Sequence, residues 1–127
     1  MKKGFTLLEL IVVIIIIGIL GALGFIQYTR VVEKSRTGEA KDVLGQMRTA
    51  EEAYNVQYGA RTATIGALSV EVPTACDSNH YFIYTTTATV GTATRCTSGG
   101  KDPQGTVAYT VTVDYSAGTW GGSAGYY

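Results

Sequence analysis

Glu9 stands at the edge of a long apolar run, and its neighbours suggest what an acid could be doing there. Residues 10–26 contain no charged side chain, and residues 11–17 carry no polar side-chain atom. A carboxylate at bilayer depth is costly unless it reaches the interface or finds a partner. The run offers no base. An amino group freed by cleavage in front of Phe5 would be the obvious partner, in the same chain or in a neighbouring one. The residues before that bond, Lys2, Lys3 and Gly4, supply a basic, small-residue leader.

A second group of reactive types lies beyond the run. Cys76 and Cys96 are the two cysteines, and His80 is the single histidine. If the apolar run places them outside the cytoplasm, a Cys76–Cys96 disulfide is expected. It would close a loop of about 20 residues and contribute roughly 3 kcal/mol on the chain-entropy account. Cys76, Asp77, His80 and Cys96 can also be drawn as a zinc site. Structural zinc takes four ligands in paired C-x-x-C or H-x3-H spacings, and neither spacing is present, so no metal is expected. One histidine leaves no catalytic triad, and no G-x-S-x-G, phosphate loop or dinucleotide fingerprint occurs. No enzymatic activity and no cofactor are expected. Its nine tyrosines suit strand propensity and amphipathic packing better than stacking for ligand binding or charge transfer.

The 127 residues allow one small domain and one long element. Ten basic and ten acidic residues give a net charge of zero. That argues against a nucleic-acid partner, which calls for a basic face. Residues 5–26 reach about 33 Å as a helix, the thickness of a bilayer core. Lys2 and Lys3 in front of the span predict a cytoplasmic N-terminus, with the remainder exported. Three other readings fit less well. A cleaved secretory signal, with Ala22 and Gly24 as small residues, has a shorter apolar core and no acid in it. A plain anchor explains the length but not Glu9. A buried helix of a soluble protein does not suit an unbroken Ile/Val run.

The sequence Lys2-Lys3-Gly4-Phe5-Thr6-Leu7-Leu8-Glu9 resembles the class III signal of type IV prepilins and type II secretion pseudopilins. The resemblance implies cutting by prepilin peptidase on the cytoplasmic side, after Gly4. It implies methylation of the new N-terminal Phe5 and a role for Glu9 in filament assembly. It covers about the first 58 residues, and the remainder resembles the family in architecture only. One departure is visible. Many members carry a proline late in the apolar run, before Gln-Tyr, whereas here Ile26 precedes Gln27 and Tyr28. Gly18, Gly21 and Gly24 recur every third residue instead. Each weakens a helix by roughly 1 kcal/mol relative to alanine, and together they offer a small-residue face.

Beyond Tyr28, charges return while Ala40, Val43, Leu44, Met47, Ala50, Tyr54 and Tyr58 recur at helical spacing. No proline intervenes before Pro73, and Gly59 is a plausible stop. The spacing predicts one helix over residues 5–58. Residues 60–79 read as a connection. A strand is expected over 81–87, a long exposed Thr/Gly-rich loop over 88–106, and a strongly alternating strand over 107–115. A turn at 116–118, a short returning strand from Thr119 and a tail over 121–127, flexible apart from its tyrosines, follow. The expected fold class is α+β and pilin-like, a long N-terminal helix against a small antiparallel sheet. Four segments are expected: leader 1–4, membrane and assembly half 5–28, outer half 29–59 and sheet domain 60–127.

The expected function is structural. The chain would be a subunit of a type IV pilus-like filament, held in the inner membrane as a precursor and then built into an extracellular or periplasmic fibre. Its partners would be copies of itself, prepilin peptidase and the inner-membrane assembly platform. The resemblance also admits a pseudopilin or minor pilin of a secretion or DNA-uptake machine. An anchored binding module that never polymerises is the alternative of another class.

Overall fold

Helix α1 covers Leu7–Tyr58. The computed structural model describes residues 4–103 and 108–127. Lys2 and Lys3 of the leader, and Val107 with residues 104–106, lie outside the described residues. The chain divides into two units, Met1–Glu33 and Lys34–Tyr127.

In the first unit, α1 is apolar on every side over residues 10–26, and its large hydrophobic residues from Leu7 to Val31 are exposed. The stretch is long and apolar enough to cross a membrane.

In the second unit, α1 becomes a one-sided helix. Thr37, Ala40, Leu44, Met47 and Glu51 are its buried residues, at alternating spacings of three and four that keep them on one face. Leu44 and Met47 are fully buried and pack with Phe82, Tyr84, Val111, Val113 and Tyr115. Of the expected stripe, Ala50 and Tyr54 are half-buried and Tyr58 is exposed. After Met47 the buried place falls to Glu51 rather than to Ala50, and the row is progressively uncovered through Tyr54 and Tyr58. Gly59 ends the helix with a left-handed φ of 73°, and its N–H bonds to Asn55 O at 2.8 Å.

The sheet contains β1 (Phe82–Thr86), β2 (Val90–Arg95), β3 (Thr110–Asp114) and β4 (Trp120–Gly122), antiparallel in the order β1-β2-β3-β4. Helix and sheet together form the expected α+β, pilin-like architecture. Two expectations are corrected. Residues 88–106 are not one exposed loop, because β2 lies within them and pairs with β1 and β3 on either side. Its inward residues are Gly91, Ala93 and Arg95, too small or too polar to show an apolar alternation. Small size is what the site needs, since a Cβ at Gly91 would lie 2.7 Å from the Tyr115 hydroxyl. The tail is not loose either. Gly121 and Gly122 complete β4, Ser123 N–H bonds to Thr110 O at 2.9 Å, and Tyr126 stacks on Tyr109 with ring centres 3.9 Å apart.

Candidate processing and assembly site

The first residues described, 4–6, are not helical, and α1 begins only at Leu7. Thr6 and Glu9 set that starting point. The Thr6 hydroxyl accepts the Glu9 N–H at 3.2 Å, and the Glu9 carboxylate accepts the Thr6 N–H at 2.9 Å. The Thr6 hydroxyl also donates to the same carboxylate oxygen at 2.8 Å. This is the reciprocal capping box of a T-x-x-E sequence, which satisfies amides that a helix start otherwise leaves without partners. The carboxylate also sits where the helix dipole is positive.

The Gly4–Phe5 peptide therefore lies in non-helical chain just ahead of the cap. Phe5 is 90% exposed, and a Cβ added at Gly4 would meet no atom within 4 Å. A bond in open, non-helical backbone is what a peptidase can take up. Glu9 lies within one turn of that bond. Of the residues expected to act together, the structure thus gathers Gly4, Phe5 and Glu9 at one end. It adds Thr6, whose role the sequence reading passed over. The signal was present as T-x-x-E in front of an apolar run.

The remaining expected residues lie in the second unit. Cys76 and Cys96 are joined, with S–S 2.03 Å. Both sulfurs are thereby unavailable as thiolates, the form in which cysteine binds zinc. His80 Nδ1 lies 2.9 Å from Asp77 Oδ2. This contact and the Asn79 N–H hold the Asp77 carboxyl below its ordinary value. No group of three His, Cys, Asp or Glu side chains able to hold a metal is found among the described residues.

Two charged groups that spacing did not single out are buried here, Glu51 and Arg95. Arg95 Nη1 donates to Cys96 O at 2.8 Å and to Tyr81 O at 3.2 Å, and Nη2 donates to Asp102 O at 2.6 Å. It ties the disulfide loop to the sheet, with Tyr81 stacked under Arg36, Arg95 and Lys101 at 4.9, 5.3 and 4.9 Å. Nothing in the one-dimensional pattern distinguishes Arg95 from a solvated arginine.

Residues 1–25 match the prokaryotic N-terminal methylation motif. That motif is the class III signal peptide of type IV pilins and pseudopilins. No curated protein and no solved structure matches the chain. Prepilin cleavage follows from the methylation motif, and with it processing by prepilin peptidase. The motif and the apolar helix together fit a membrane-anchored precursor. The capping box lies wholly inside the motif, so the segment that matches is also the segment whose helix start is fixed by Thr6 and Glu9.

Proposed function

We propose that the chain is the structural subunit of a type IV pilus-like filament. Gly4 is the last leader residue, Phe5 becomes the methylated N-terminus, and the apolar half of α1 carries assembly. The observation that supports this most is the pairing of a methylation motif with a helix whose apolar surface is exposed on all sides. In the precursor, lipid covers that surface. In a filament, the equivalent helices of other copies cover it.

Glu9 gives the transfer its register. One of its oxygens holds Thr6, which leaves the carboxylate open to a further donor. Cleavage creates that donor, the amine of Phe5, and methylation leaves the amine basic. Inside a helix bundle that excludes water, a carboxylate and an amine attract strongly, and either one alone is costly. The pair forms only when one helix is displaced along its neighbour so that residue 9 meets residue 5.

The test replaces Glu9 by alanine in cells where the variant is the sole copy. Insertion and cleavage should proceed, because Glu9→Ala removes a polar group from the apolar segment. Sheared filaments should fall at least about tenfold against the membrane pool, because a buried amine is left uncompensated. Filaments in normal amount would show that helix packing alone sets assembly. A chain that is trimmed but never leaves the membrane, in wild type as well, would favour the anchored binding module.

A further inference from the structure

The buried row of α1 runs Thr37, Ala40, Leu44, Met47 and ends at Glu51. The spacing calls for an apolar residue at that last place. Glu51 is 0% exposed. One oxygen accepts the Thr62 N–H at 3.3 Å, and Oε1 is buried with no hydrogen-bond partner. The side chain thus lies under the connection that leaves α1 at Gly59, turns through a single 3-10 turn at Ile65–Ala67 and lays Ile65, Val70 and Val72 against the core.

Charged and titratable groups surround it on each packed element. Arg48 and Glu52 come from α1, Arg61 from the connection, and Tyr115 from the end of β3. The two cations are engaged elsewhere. Arg61 is paired with the Glu52 carboxylate, and Arg48 Nε donates to Tyr115 O at 3.1 Å. Among the described residues Glu51 therefore has no dedicated counter-ion, only one amide and a share of Arg61.

We propose that Glu51 is a pH-operated latch between α1 and residues 60–72. With its proton, it seats the connection on the helix, and without it the connection lifts. A neutral carboxyl tolerates that dry position far better than a charge with an unmatched oxygen. Burial is the leading influence and pushes the Glu51 carboxyl above the ordinary 4.5. The Thr62 N–H and Arg61 oppose it, and Glu52 adds to it. A group whose value is raised on folding binds more protons in the closed state than in the open one. Its contribution is complete below 4.5 and is lost as pH rises through the higher, closed-state value. The device sits on the unit that the membrane topology exports, where pH is set by the surroundings. The inference is independent of the filament reading.

Hydrogen exchange at the Thr62 amide of the full chain in detergent micelles, expressed as protection so that intrinsic exchange cancels, reads the latch directly. Protection should fall as pH rises above 4.5, by about tenfold for each unit by which closing raises the carboxyl. Glu51→Gln keeps an acceptor for Thr62 and cannot ionise, so its protection should not change over the same range. Protection that is flat or rises with pH in the wild type, or a slope that persists in Glu51→Gln, would overturn the proposal. A second measurement does not depend on the variant folding. The carbon-13 shift of the Glu51 carboxyl in the wild type should titrate above 4.5, and a midpoint at or below that value would equally overturn it.

Discussion

Thr6 gives Glu9 two hydrogen bonds from the same residue and takes one back, and this exchange decides where the helix starts. The Gly4–Phe5 bond, where we propose cleavage, is left outside. Gly4 then has a role separable from the fold. A Cβ there meets no described atom within 4 Å, so Gly4→Leu should leave the helix and the second unit as they are. What it changes is the fit of the leader in the peptidase. We expect the variant to accumulate as full-length precursor in the membrane fraction, seen as a larger intact mass than the wild type. Normal trimming of Gly4→Leu would mean that cleavage falls elsewhere. At this scale the sequence draws attention to Gly4, Phe5 and Glu9, because a charge in an apolar run has few explanations. Arg95 and Glu51 were hidden, because burial of a charged residue depends on long-range neighbours.

Among the elements, α1 was the easiest to read. A continuous apolar run and then an apolar stripe without proline leave no alternative to a helix. Its exact buried face was harder, since after Met47 the residue that reaches the core is Glu51, four places on, and not Ala50, three places on. β3 was visible through the alternation of Val111 and Val113 with threonines. β2 was not, because strand pairing there is specified by what the residues leave room for. Gly91 admits Tyr115, and Ala93, 0% exposed, lies beneath the helix. The contact between α1 and the sheet should hold the second unit together. Leu44 is 0% exposed and sits at its centre. Leu44→Ala should cost about 2–5 kcal/mol, lost transfer energy plus the cavity left behind. The check is the denaturant midpoint of the full chain in micelles. A loss below about 1 kcal/mol would mean that the helix and the sheet are not one core.

At the scale of the whole molecule, the chain joins two kinds of surface. Residues before about 30 are suited to lipid or to like helices, and the Thr-, Gly- and Tyr-rich remainder is suited to water and is closed by the Cys76–Cys96 bond. The first kind was legible because membrane-grade hydropathy is a local property. The second was legible only in outline. The small residues of its strands pair according to neighbours that are distant in sequence. We propose that copies of this chain leave the membrane as trimmed, methylated subunits. Intact mass and N-terminal fragmentation of sheared surface filaments test it most directly. The account predicts an abundant subunit that begins at Phe5, bears one methyl on its amine and gains two hydrogens on reduction of its disulfide. Filaments that lack this chain, or a chain found in the membrane alone and still beginning at Met1, would contradict it.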